Sequence, residues 1–154
     1  MITKLLSNVE DTADKAAFYL SDPLLVVMRL YWGWQFMVAG YGKLSNIDKT
    51  TAFFADLGLP LPKLQVILAS STECIGGFLL LIGLFSRLVS VPLIFTMGVA
   101  YLTAHRETVT GIFGDSDAFV TAPPFLFLLT AVIVFVFGPG KLSADALLRR
   151  KSGT

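Results

Sequence analysis

The chain has 154 residues, 55% of them hydrophobic and 15% charged, with a formal net charge of +1 and a mean hydropathy of +0.73. A soluble domain of this length carries more charge and fewer uninterrupted apolar runs, so the composition points to an integral membrane protein built as one compact domain. Near-neutral charge gives nucleic acid no footing. With one Cys and one His, the chain offers no intrachain disulfide, CxxC redox pair, bis-His haem site or His-rich metal site.

Residues 5–20 place Leu5, Val9, Ala13, Ala16 and Leu20 along one stripe, the pattern of an amphipathic helix lying on a membrane surface. Residues 1–22 also hold Lys4, Glu10, Asp11, Asp14, Lys15 and Asp22. They lack the apolar core of a cleavable signal peptide, so the first span is expected to direct insertion. Crossing the roughly 30 Å of hydrocarbon takes roughly 20 apolar residues, and four segments approach that: 24–41, 64–85, 88–105 and 119–137. Pro23 suits the entrance of the first. The loop after it contains "SNIDKTTAFFADLG", which reads as a short amphipathic helix with Ser45 or Asn46 at its start and Gly58 at its end. "GLPLPK" leads rigidly into the second span. The short "SR" link, Ser86 and Arg87, forces an antiparallel hairpin into the third. Pro92 and Pro123-Pro124 fall near span starts, where a missing amide costs least. "GPGK" ends the fourth span, and "SADALLRRK" reads as a short basic helix. The expected fold is therefore all-α: an integral membrane four-helix bundle, with short amphipathic helices at the N-terminus and in the first external loop. Seven Lys or Arg lie on the side holding both termini and the Arg87 turn. Four lie on the other side: Lys43, Lys49, Lys63 and Arg106. This excess places both termini in the cytoplasm.

Arg29 in the first span and Glu73 in the second are ionisable groups in apolar surroundings, each costing ~2.5–3.5 kcal/mol on insertion scales. Counting from the cytoplasmic ends puts Arg29 ~9 Å and Glu73 ~18 Å deep. A long side chain and helix tilt can narrow that difference, so the two are expected to neutralise each other around a shared cavity. Glu73 shares a face with Gly76, Gly77, Leu80 and Gly83. Arg29 shares one with Gly33, Phe36, Gly40 and Lys43, and small residues let membrane helices approach closely. Arg29 and Glu73 are the candidate catalytic residues, and Trp32 and Phe36 the candidate ring-binding walls. Lys43 and His105 are candidate ligand-binding groups at the outer mouth, where Arg106 and Glu107 could join them. Gln35, Ser70, Ser71 and Thr72 add hydrogen-bonding capacity. Each has a plainer reading: the charges as a pin between helices, Trp32 and Phe36 as packing, Lys43 and His105 as solvated span ends. Cys74 reads as a small buried apolar residue.

Three stretches carry a family resemblance: "RLYWGWQFMVAGYGKL" (29–44), "FFADLGLPLPKLQ" (53–65) and "ECIGGFLLLIGLFSRL" (73–88). Together they resemble the DoxX family of small bacterial membrane proteins over roughly residues 24–105. The resemblance implies a four-helix protein of the bacterial inner membrane, with a polar signature on Arg29, Lys43, Glu73 and Arg87. Family members are linked to thiosulfate:quinone oxidoreductase, in which a DoxD-type chain partners a DoxA-type chain, to oxidative-stress complexes, and to quinone or catechol detoxification. On this basis the chain is expected to be a redox-associated subunit binding a quinone between its helices. It has no intrinsic electron carrier, so a partner redox protein would supply electrons. A non-catalytic scaffold or assembly partner is the alternative. A small-molecule transporter, working as a homo-oligomer, is a weaker one.

Overall fold

In the computed structural model the first helix, α1, runs unbroken from Ile2 to Ser45 with Pro23 inside it. The structure describes residues 2–151 and 153, and of residues 2–8 only the backbone, so the stripe position read for Leu5 lies outside the described side chains. The surface helix and first span are therefore one rod of 44 residues, about 66 Å long at helical rise. The helix does not begin at Pro23 as expected. The ring already holds a helical φ, and the missing amide removes only the bond to the Tyr19 carbonyl. That loss falls where residues 9–21 are exposed throughout.

The other helices are α2 (Ile47–Asp56), α3 (Pro62–Ile82), α4 (Ser86–Ala104), α5 (Arg106–Thr110), α6 (Ser116–Thr121), α7 (Pro124–Phe137) and α8 (Ala144–Lys151). No strand occurs among the described residues. Gly58, at φ +72°, follows α2 as expected. The Asn46 side chain instead donates to the Gly42 carbonyl and caps no amide of α2.

The seam between α1 and α3 sets the register of the molecule. Arg29, Gly33, Phe36 and Gly40 are buried on α1, and Val66, Ser70, Glu73, Gly77 and Leu80 on α3. Their alternating steps of three and four keep one stripe facing the partner helix. Backbones touch here. A Cβ on Gly40 would lie 2.5 Å from the Cys74 amide nitrogen, and one on Gly77 2.6 Å from that of Met37. The antiparallel pairing thus sets Gly33 against Gly77 and Leu81, and Gly40 against Ser70 and Cys74.

α3 turns into α4 through Gly83, whose φ of +72° suits a residue without a side chain. α4 packs on α3 and α7, and α7 returns to α1, closing a ring of four packed helices. Phe36, Leu80, Leu93, Met97, Ala131 and Val134 fill its centre. The outside is also apolar: Trp34 and Val38 on α1, Ile75 and Phe78 on α3, Phe95 and Leu102 on α4, and Phe135 and Val136 on α7 are all exposed. Hydrocarbon is the solvent that suits such a coat.

α3 and α4 are long and apolar enough to cross a membrane, and each falls within three residues of its expected span. The expected fourth span is not one helix. α6 stops at Thr121, Ala122 is extended at φ −61° and ψ 137°, and α7 begins at Pro124. A residue preceding proline is driven out of the helical region, and here that residue is Ala122.

Candidate functional site: an ion pair in an apolar cavity

Glu73 is answered by Lys43. The ammonium donates to both carboxylate oxygens, at 2.5 and 2.6 Å. The Glu73 side chain is 2% exposed and that of Lys43 35%. The seam explains the pairing. Gly40 sits against Ser70 and Cys74. Lys43 continues the same stripe one turn further, and its four-carbon stem reaches back to the carboxylate.

The expected Arg29–Glu73 pair is not formed. Arg29 lies at the level of Gly83, where an added Cβ would collide with its guanidinium. Ten residues of α3 separate Gly83 from Glu73, about 15 Å at helical rise. Arg29 is 3% exposed. Its Nη1 donates to the Pro139 carbonyl at 3.1 Å and its Nη2 to that of Leu142 at 2.7 Å. Its Nε has no partner among the described residues. Its neighbours are thus the dipoles of the chain that follows α7, with the Asp145 carboxylate close enough to attract it.

The ion pair forms part of the wall of a cavity of about 580 Å³ enclosed by α2, α3 and α4. Phe53 and Phe54 of α2 and Leu57 just after it roof it. Leu68 and Thr72 of α3 and Phe95 and Thr96 of α4 wall it. Phe95 is 72% exposed and Phe53 51%, so the chamber borders the apolar exterior. Thr96 donates its hydroxyl to the Pro92 carbonyl at 2.9 Å, and Gln65 its amide to the Pro60 carbonyl at 2.8 Å. The Thr96 hydroxyl oxygen and the Gln65 amide oxygen remain able to accept. Chemically, the site offers a cation, an anion and a few acceptors in a mostly hydrocarbon chamber.

The other sequence candidates lie elsewhere. Trp32 and Phe36 pack edge-to-face on Phe127 of α7, with centroids 5.0 and 4.6 Å away. Neither lines the cavity. His105 follows α4, its ring 6.2 Å from that of Tyr101, and also lies outside the lining. Arg106 and Glu107 are exposed on α5, while Lys43 is turned to Glu73, so the outer polar cluster does not assemble. Cys74 is half-buried beside Gly40. Phe53, Phe54 and Phe95 were missed as wall residues. The adjacent phenylalanines of the amphipathic loop helix were the signal for the first two, because a roof over a cavity needs an apolar underside.

Arg29 belongs to a second polar assembly at the opposite end. Asp145 accepts from the Phe85 and Ser86 amides at 2.8 and 3.0 Å, capping α4 from 60 residues away. Asp22 accepts from the Lys141 amide at 3.0 Å and pairs with its ammonium at 2.9 Å. The amide, then the ammonium, holds the Asp22 carboxyl below the ordinary carboxylate range. Arg87 donates to the Val136 carbonyl at 3.2 Å.

Fold and site together define a helical membrane protein with a buried carboxylate, paired to a lysine, in the wall of a cavity that borders its apolar exterior. The chain belongs to the DoxX family, whose profile matches residues 24–106. It is 28% identical over 123 residues to the inner membrane protein YphA of Escherichia coli (strain K12), covering 79% of this chain and 88% of that one. It is 30% identical over 137 residues to the inner membrane protein YqjF of the same organism, covering 86% and 97%. It is also 30% identical over 120 residues to a Bacillus subtilis (strain 168) protein provisionally named oxidoreductase CatD, covering 78% and 83%. No solved structure matches the chain significantly.

Proposed function

We propose that this DoxX protein binds a quinone-like lipophilic ring in the cavity beside Lys43 and Glu73, as a redox-associated subunit of the bacterial inner membrane. The observation that carries the reading is the Lys43–Glu73 pair set in the wall of a 580 Å³ chamber otherwise lined mostly by apolar side chains. A flat ring would lie between Phe53, Phe54 and Phe95. Lys43 would donate to a ring oxygen in exchange for one of its two bonds to Glu73, and Glu73 would accept from the hydroxyl form. Two-electron reduction takes up two protons: Lys43 is placed to give one to the ring oxygen it holds, the other comes from water, and Glu73 is the base placed to take one back when the hydroxyl form is oxidised. The electrons come from a partner protein or soluble donor. The provisional name of CatD supports the redox class, and the chamber's border on the apolar exterior supports a ligand dissolved in the bilayer.

In this reading α1, α3, α4 and α7 all cross the membrane as a four-helix bundle. α7 contributes about 21 Å, extended by the segments around it. The seven-to-four excess of Lys and Arg puts both termini in the cytoplasm and the cavity toward the outer leaflet. Arg29 then acts on the fold of the inner end and not on the ring.

Purification in mild detergent, organic extraction and mass spectrometry test the proposal. A stoichiometric lipophilic quinone is expected with the natural chain, and its loss with Lys43→Met and Glu73→Gln. Should no such ligand copurify, and added short-chain quinone leave the unfolding temperature unchanged, the binding role falls. The ion pair would then be a pin between helices, as in a scaffold or assembly partner.

A further inference from the structure

The opposite end holds a second cavity, about 290 Å³, between α1, the first turn of α4, the end of α7 and the chain that follows it into α8. Asp22, Arg87, Phe137, Lys141, Asp145 and Arg149 are among its lining residues. Both carboxylates are already committed: Asp22 to the Lys141 amide and ammonium, and Asp145 to the Phe85 and Ser86 amides. Lys141 is neutralised by Asp22. Arg87 and Arg149 are in no ion pair among the described residues. The Arg87 guanidinium is nonetheless held in place. It lies over Gly138, within 3.5 Å of where a Cβ would stand, at a φ of +82°, and donates to the Val136 carbonyl. Two guanidiniums outside any ion pair thus border one cavity, in whose lining three cations (Arg87, Lys141 and Arg149) exceed two carboxylates (Asp22 and Asp145). Its lining includes one large exposed apolar ring, Phe137, 70% exposed.

We propose that this cavity binds the phosphate of an anionic phospholipid, held by Arg87 and Arg149, with acyl chains leaving over Phe137. Guanidinium matches phosphate oxygens in pairs, and basic pockets at the edge of a helix bundle suit anionic head groups. The exposed Phe137 ring favours a lipid over a soluble phosphate, which would make no use of it. The proposal is independent of the quinone reading, since it involves neither the ion pair nor its chamber.

The test measures thermal unfolding and native mass spectra of the full chain in detergent, with phosphatidylglycerol, phosphatidylcholine or inorganic phosphate added. Phosphatidylglycerol is expected to bind and raise the unfolding temperature, while the other two do neither. Arg149→Gln should weaken its binding about fivefold, the value of one cation at a membrane surface. Arg150→Gln removes the same charge from an exposed neighbour outside the cavity and should change binding by less than about twofold. Equal losses from the two substitutions would mean diffuse attraction to a basic tail and overturn the site. Equal binding of phosphatidylcholine would overturn it as well. Stabilisation by inorganic phosphate matching that of the lipid would overturn the lipid assignment.

Discussion

At one end of the packed helices, Arg29 is held by the carbonyls of Pro139 and Leu142. At the other end, Glu73 is held by the Lys43 ammonium in the wall of a chamber. Both charges are almost fully buried, yet their surroundings differ in kind. Backbone carbonyls cannot leave, so Arg29 fixes the course of the chain after α7, and Asp145 and Asp22 pin the same segment to α4 and α1. A lysine that is one-third exposed can turn, so the bond between Lys43 and Glu73 can be exchanged for one to a ligand. Burial alone does not distinguish a structural charge from a functional one. The mobility of its partner and the space beside it do.

The largest effect that separates the two ends should come from Arg29→Met. It leaves two carbonyls without their donor and frees the C-terminal segment, a loss of about 2–6 kcal/mol in denaturant unfolding at roughly 1–3 kcal/mol for each unsatisfied group. Next come double-mutant cycles on the same measurement. Lys43→Met with Glu73→Leu should show a coupling of about 1–3 kcal/mol, whereas Arg29→Met with Glu73→Leu should add within about 0.5 kcal/mol. Coupling in the second cycle would mean that the ends are not separate. Lys43→Met should also cost more than Glu73→Gln, because a stranded lysine reaches solvent more readily than a stranded buried carboxylate.

Much of the fold was legible in the sequence, because apolar runs and turn residues act locally. α3 and α4 follow from their hydropathy and the end of α2 from Gly58; the hairpin follows from a short link, but the turn is residues 83–85, and Ser86 and Arg87, expected as the link, open α4. Pro23 misled because a proline at a helix entrance and one inside an exposed helix look alike along the chain. Pro123-Pro124 were noticed, but not that Ala122 would break the span. The identity of both inner groups as charges in need of partners was also legible, while their partners were not. Depth counting treated Arg29 and Glu73 as the only candidates for each other. The Arg29 partners are main-chain carbonyls more than 100 residues away, which no side-chain pattern announces. The reach of Lys43 to Glu73 depends on the register set by Gly33, Gly40 and Gly77, visible only once the helices are packed.

Smaller effects sharpen the Arg29 end. Asp145→Ala removes the cap of α4 and should lower stability by about 1–2 kcal/mol in the same unfolding measurement, with quinone binding unchanged. The mildest is a pH effect. The Asp22 carboxyl is held below its ordinary range by Lys141, so the folded state binds its proton less readily than the unfolded state. Its contribution is complete above an ordinary value of about 3.9 and fades as pH falls through the lower folded value. Acid unfolding profiles of the natural chain and Asp22→Asn should converge as the pH drops through that window.

The central contrast is tested most directly by equilibrium dialysis of a short-chain quinone against the purified full chain, Glu73→Gln and Arg29→Lys. The account predicts binding to the natural chain, at least about tenfold weaker binding to Glu73→Gln, as expected for losing a hydrogen bond to a charged group, and little change for folded Arg29→Lys. Quinone held equally well by Glu73→Gln, or lost only from Arg29→Lys, would contradict it.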